Sequence, residues 1–188
     1  HMIARGLAVF AFDGPGQGLV STKAKLRPDF EVPIRAVTDY VLKRAGVDGN
    51  RLAIGGISYG GIFACRAAAF DNRFKAVVSV SSWYTPAGRF PGMDPLSQLG
   101  LTQYMGPDPQ SVQDSITMAG IGEKLKVPLL QVYGALDKAS PPEHAYRVEK
   151  EVKGPTTTLV YDEGVHVCNN LSHIVRPLIA DWLADQLK

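Results

Sequence analysis

Gly56-Ile57-Ser58-Tyr59-Gly60 lies between an apolar run, Arg51 to Ile57, and a helix-forming stretch, Ile62 to Phe70. A Gly-x-Ser-x-Gly pentapeptide in a strand-to-helix setting is the arrangement of a nucleophile elbow. There the serine occupies a sharp, strained turn, and the residues two before and two after it must be small for the chains to pass. Here both are glycine, and Gly61 follows. The pentapeptide alone is a weak signal; the flanking strand and helix give it weight and make Ser58 the candidate nucleophile.

Outward from the elbow, apolar runs of strand length recur at Leu7 to Phe12, Leu52 to Ile57, Ala76 to Ser81, Leu129 to Tyr133 and Thr157 to Tyr161. Each ends in turn-type or polar residues and is too short for a helix. Helical segments fall between them at Val32 to Arg44, Ile62 to Phe70, Glu143 to Val152 and Ile174 to Leu187. Continuous apolar strands alternating with helices predict an α/β fold, a mostly parallel sheet of about five strands with helices on both faces. From Trp83 to Lys126 the rhythm breaks: the segment carries five prolines and short helix-like patches around Ser97 to Tyr104 and Ser111 to Ala119. A connection this long inside one domain reads as a lid-like insertion, against the plainer alternative of a decorated crossover. No linker divides the chain, so residues 1–188 read as a single domain.

Composition excludes several classes of function. A chain of 188 residues is long enough to bury a core without disulfides or structural metals. The formal net charge of +2 comes from interspersed residues of both signs, with no basic stripe for a phosphate backbone, so nucleic acid is not expected as a partner. No apolar stretch reaches membrane-spanning length and no cleavable leader opens the chain, which reads as a soluble cytoplasmic protein. His1-Met2 reads as a cloning remnant. The two cysteines, Cys65 and Cys168, form neither a disulfide framework nor a zinc spacing, although a pairing between them stays open. No metal or organic cofactor is implied.

A serine hydroxyl needs a histidine to take its proton, and that histidine needs an acid to orient it. His166 follows the last strand, at the sheet edge where the elbow presents Ser58; His144 and His173 sit at helix approaches, where solvation or packing is the plainer role. Asp137, a few residues past the strand Leu129 to Tyr133, fits as the acid. Asp162 and Glu163 are acidic rivals next to His166. The order serine, acid, histidine is that of α/β-hydrolases. The turn Asp13-Gly14-Pro15-Gly16-Gln17-Gly18 lacks the lysine and hydroxyl of a P-loop and the spacing of a dinucleotide fingerprint, so it reads as a tight turn near the active edge.

Together these motifs resemble the α/β-hydrolase superfamily. The segments Arg5 to Gly18, Gly56 to Gly61, His166-Val167-Cys168-Asn169-Asn170, Arg176-Pro177 and Ala180-Asp181-Trp182-Leu183 look like the carboxyl half of the 2,6-dihydroxypseudooxynicotine hydrolase group. That group includes enzymes that cleave carbon–carbon bonds next to ketones, and its wider circle includes esterases. The resemblance implies Ser58, Asp137 and His166 as the triad, and it implies that the first three strands of the superfamily are absent here. With them goes one donor of the oxyanion hole, leaving the N–H of Tyr59; losing one such donor costs about 3 to 4 kcal/mol of transition-state stabilisation. It also leaves a gap in the sheet. Either Leu7 to Phe12 pairs directly with Leu52 to Ile57, or a second protomer covers the edge in a homodimer.

The function expected is a serine hydrolase, esterase-like, that cleaves carboxylic esters through an acyl-enzyme. Trp83, Tyr84 and Phe90, with Met93 and Met105, are candidates to line an apolar substrate pocket. Hydrolysis of a carbon–carbon bond in a β-diketone-like ketone is the alternative within enzymes. A catalytically inactive hydrolase-fold scaffold is the alternative outside them.

Overall fold

The computed structural model describes residues 1–188. Four strands, β1 (Leu52–Ile57), β2 (Phe74–Val80), β3 (Leu129–Gly134) and β4 (Thr156–Tyr161), form one parallel sheet in the order β1-β2-β3-β4. All six residues of β3 and six of the seven in β2 are buried, as expected of the two inner strands, whereas β1 and β4 are partly open as edges. Gln131, buried on β3, is a polar residue in this apolar row; its amide donates to the Ala145 carbonyl and to Thr158 Oγ1, both at 3.1 Å.

On one face lies the larger core. Helix α2 (Tyr59–Phe70) is buried over most of its length against β1 and β2, because glycine and alanine let it sit close to the sheet. Helix α1 (Glu31–Val41) packs on α2 through Ile34, four residues from the other buried position, Thr38. Helix α5 (Glu143–Glu151) adds Val148. The opposite face is covered by α6 (Ser172–Gln186), which packs Val175 onto Val78, Val80, Leu130 and Val132.

The expected strand Leu7 to Phe12 does not form, and the sheet has four strands rather than five. The segment lies outside the ladder, with Val9 and Phe10 exposed and Phe10 tilted against Tyr40 of α1 at 6.1 Å. The turn that follows holds it there: Gly14 lies directly on the Phe30 ring, and Gly16, at φ 76°, donates to the Ala24 carbonyl. These anchors belong to α1 and its approach rather than to β1. The first of the two expected remedies for the sheet gap is therefore not adopted, and the outer edge of β1 stays unpaired in this chain. The cysteines are both free and buried, Cys65 in the α2 core and Cys168 in the α6 core, so they do not pair.

Between β2 and β3 the excursion contains α3 (Pro95–Met105) and α4 (Pro109–Ser115). Both start on an Asp-Pro pair. The side chains of Asp94 and Asp108 cap the first-turn N–H groups, while proline occupies a position where no N–H is needed. The expected patch Ser111 to Ala119 stops at Ser115, since Ile116 is extended and fully buried. Arg66 of α2 ties the layers together: it donates to both carboxylate oxygens of Glu31, at 2.8 and 3.0 Å, and to the Thr117 carbonyl at 2.7 Å.

Two outcomes follow for stability. Glu31→Ala leaves the Arg66 guanidinium largely buried without its carboxylate, so a urea titration should show a loss of about 3 kcal/mol. A Cβ on Gly56 would collide with the Gly60 backbone, whereas one on Gly60 itself meets nothing. Gly56→Ala should accordingly lower the urea midpoint by at least the equivalent of about 2 kcal/mol, and Gly60→Ala should match the parent or slightly exceed it.

Candidate active site

The elbow forms as its sequence requires. Ser58 sits between β1 and α2 at φ 55° and ψ −124°, a conformation that costs a non-glycine residue about 1 to 3 kcal/mol. Its N–H donates to the Val80 carbonyl at 2.8 Å, which fixes the turn to the end of β2. The steric demand falls on Gly56 and on Gly61, whose Cβ would lie 2.6 Å from that of Ser82, and not on Gly60. Tyr59, the first residue of α2, has its N–H among those a helix leaves without an internal partner, so that group is free to meet an anion beside Ser58.

Asp137 and His166 reach Ser58 from the ends of β3 and β4. Gly134 and Gly164 lie back to back, closer than any side chain would allow, and the Leu136 N–H donates to the Gly164 carbonyl at 2.9 Å, so the two loops run as a pair. The Asp137 carboxylate is buried and doubly committed. Its Oδ1 accepts from the N–H groups of Ala139 and Ser140, both at 2.9 Å, and its Oδ2 faces His166 Nδ1 at 2.8 Å. The other ring nitrogen, Nε2, lies 3.2 Å from Ser58 Oγ. With the proton on Nδ1 donated to Asp137, Nε2 is the acceptor for the serine hydroxyl. The expected serine, acid and histidine are thus assembled in one hydrogen-bonded line.

The rivals lie elsewhere. Asp162, Glu163 and His173 are exposed. His144 accepts the Tyr84 N–H at 3.3 Å, and burial, followed by the nearby Arg89 and Arg147 charges, holds its pKa below the usual histidine range. Burial also pushes the thiols up, Cys65 to about 12 and Cys168 to about 11, which leaves neither as a nucleophile. No group of three His, Cys, Asp or Glu side chains is arranged to hold a metal ion, and no helix is long and apolar enough to cross a membrane.

Of the residues expected to line a pocket, Trp83 is at the site. Its ring is 6.4 Å from that of His166 and 4.5 Å from that of Tyr59, and its indole N–H donates to the Ala139 carbonyl at 3.0 Å. Tyr84 is not brought there: its ring belongs to the α2 core under the Arg147 guanidinium, and its hydroxyl bonds Glu151 of α5. Phe90 and Met93 lie half-buried on a turn of the excursion, where their carbonyls accept from Gln98. Met105 is buried and borders a cavity of about 500 Å³ between Gly16–Gly18 and α3, with Tyr59, Leu26, Leu101 and Tyr104 among its walls. Gln113, absent from the sequence expectation, donates its amide to the Tyr59 hydroxyl at 2.6 Å. Only its position on α4 reveals it. The Gly14 N–H donates to Gln17 Oε1 within the turn and the Gly16 N–H to the Ala24 carbonyl beyond it, so neither is left over as a second oxyanion donor.

Residues 29–187 match the model of the prolyl oligopeptidase family. The chain belongs to that family. It is a hydrolase family, and the fold is that of the α/β-hydrolase superfamily. Among solved structures, 2,6-dihydroxy-pseudo-oxynicotine hydrolase superposes with a TM-score of 0.88 at 26% identity, over 99% of this chain and 54% of that one. Among curated relatives, the hydrolase LUC6 of Fusarium is 51% identical over 83 residues, which is 41% of this chain and 20% of its own. The α/β hydrolase psoB of Aspergillus fumigatus is 43% identical over 99 residues, 46% of this chain and 22% of its own. The chain therefore spans about a fifth of the length of these curated relatives and about half of the solved structure.

Asp137→Asn keeps the Oδ1 contacts to Ala139 and Ser140 but cannot accept the Nδ1 proton as a carboxylate does. Phosphonylation of Ser58 by a fluorophosphonate, read by mass spectrometry, should slow by about three to four orders of magnitude in this variant while its circular dichroism is unchanged.

Proposed function

We propose that this member of the prolyl oligopeptidase family is a serine hydrolase that cleaves carboxylic esters through an acyl-enzyme. The observation that carries the reading is the line Asp137 Oδ2, His166 Nδ1, His166 Nε2, Ser58 Oγ, with separations of 2.8 and 3.2 Å at its two polar contacts. Ser58 Oγ attacks the ester carbonyl as its proton passes to His166 Nε2, and Asp137 stabilises the imidazolium that results. The carbonyl oxygen, now an anion, takes a hydrogen bond from the Tyr59 N–H at the positive end of α2. Collapse expels the alcohol, which leaves with the proton from His166. Water, deprotonated by the same nitrogen, then releases the acid and restores Ser58.

The excursion acts as a lid in this scheme. Its α3 supplies Leu101 and Met105 to the cavity that Tyr59 also walls, and Trp83 covers the triad at the point where the excursion leaves the sheet. The apolar share of those walls suits an acyl or aryl group.

A second reading rests on the likeness to 2,6-dihydroxy-pseudo-oxynicotine hydrolase over nearly the whole chain. In it Ser58 attacks a ketone carbonyl, the carbon–carbon bond breaks, and the departing carbanion takes the proton from His166. The first half of the reaction needs the same groups, so the leaving group alone separates the two.

Parallel rates on a short-chain p-nitrophenyl ester and on an aryl β-diketone, for the parent chain and for Ser58→Ala, distinguish the readings. Ester turnover that falls to background in Ser58→Ala is the expected result. Ser58-dependent cleavage of the diketone alone would replace the first reading with the second, and equal background rates in folded parent and variant on both substrates would remove both.

A further inference from the structure

Ser81 is fully buried, follows the last residue of β2, and has a backbone φ of 45°, in the left-handed region where a serine is strained. Its own N–H is spent on the Val132 carbonyl at 2.8 Å. Its hydroxyl oxygen accepts the N–H of Val167 at 2.9 Å. Val167 is the residue after His166, and it too is left-handed, at φ 56°, as is Cys168 at φ 49°. Two successive non-glycine residues in that region do not persist without outside restraint. Around His166 the Cys168 N–H donates to the Val165 carbonyl at 2.8 Å, and Asn170 Oδ1 accepts the Val165 N–H at 3.1 Å. Both of those bonds lie within the loop. Further back, the Gly164 carbonyl accepts the Leu136 N–H at 2.9 Å, which joins the start of the loop to the end of β3, whereas the bond from Val167 to Ser81 is the one that ties the residue next to His166 to the end of β2.

We propose that Ser81 is a positioning residue for the histidine of the triad: its buried hydroxyl holds the left-handed Val167 peptide and thereby sets the His166 ring at Ser58. The inference rests on the reading of His166 as the general base. The neighbouring residues show why the end of β2 suits the task. The Val80 carbonyl takes the Ser58 N–H, and the Ser82 carbonyl accepts the hydroxyls of Tyr133, at 2.9 Å, and Ser140. Ser140 is one of the two residues whose N–H groups hold Asp137. Three consecutive residues thus reach the nucleophile turn, the histidine loop and the aspartate loop in turn. Ser81 alone does so with a side chain, so its part can be removed without altering the main chain.

The experiment uses Ser81→Ala, which removes the acceptor and keeps the strain, and Ser81→Gly, which removes the acceptor and relieves the strain. Both are compared with the parent chain for kcat, KM and thermal midpoint on the ester that Ser58 turns over. The expected result is a fall in kcat of about 10- to 100-fold in both, with KM within about twofold, although the glycine variant melts higher than the alanine variant. Recovery of kcat in Ser81→Gly, or parent-like kcat in either variant, would overturn the proposal, because activity would then follow backbone strain or nothing at this position. Amide hydrogen exchange of the parent chain keeps the test open if neither variant folds: a Val167 N–H exchanging at the rate of an unprotected amide would show that the tether does not exist. Failure of the underlying reading looks different, since Ser58→Ala would then turn over substrate as fast as the parent.

Discussion

The hydrogen bond from the Ser58 N–H to the Val80 carbonyl joins the nucleophile turn to the carboxyl end of β2, and the rest of the site is arranged around that strand end. A parallel sheet presents all its carboxyl ends along one edge. With β1, β2, β3 and β4 neighbours in both chain and space, the loops bearing Ser58, Asp137 and His166 therefore open side by side. Glycine at Gly134 and Gly164 lets the second and third of these loops touch through their backbones. Close approach, rather than any large group of bonds, is what brings an acid and a base from successive strands to one serine.

Much of this was legible in the sequence, for reasons that differ from element to element. Strands β2 and β3 are buried on both faces and so appear as unbroken apolar runs, and the elbow is legible because its geometry admits few residues at Gly56 and Gly61. Asp137 and His166 could be placed because each follows a strand whose end is fixed by the sheet. The segment Leu7 to Phe12 has the same apolar look as a strand, yet pairing depends on a partner at the right height, and a run of hydrophobic residues carries no information about that. Here the glycine turn and Phe30 hold the segment away from β1.

Side chains that act across the fold were harder to see. Tyr84 and Trp83 are adjacent aromatic residues with the same outlook in sequence; their fates diverge because successive side chains point in different directions, one toward His166 and the other into the α2 core against Glu151 and Arg147. Gln113 on α4 and Ser81 after β2 carry no motif at all. Each matters through one long-range hydrogen bond, and such a bond leaves no periodicity to find. The Asp-Pro starts of α3 and α4 are the opposite case, a local signal that marks the element wherever the chain later carries it.

The strand order has a further consequence for how the chain assembles. Leu52 lies opposite Phe74, and Leu129 opposite Thr156, so β1 with β2 and β3 with β4 are each closed by a short crossover. Val77 meets Leu129 only across the whole excursion, a closure about twice as long, which adds about 0.6 kcal/mol of chain entropy to be overcome. Ser58 belongs to the first pair of strands, and Asp137 and His166 to the second. Ser58 and His166 thus reside in separate local units of the sheet, and the joining of β2 to β3 is what brings the two together.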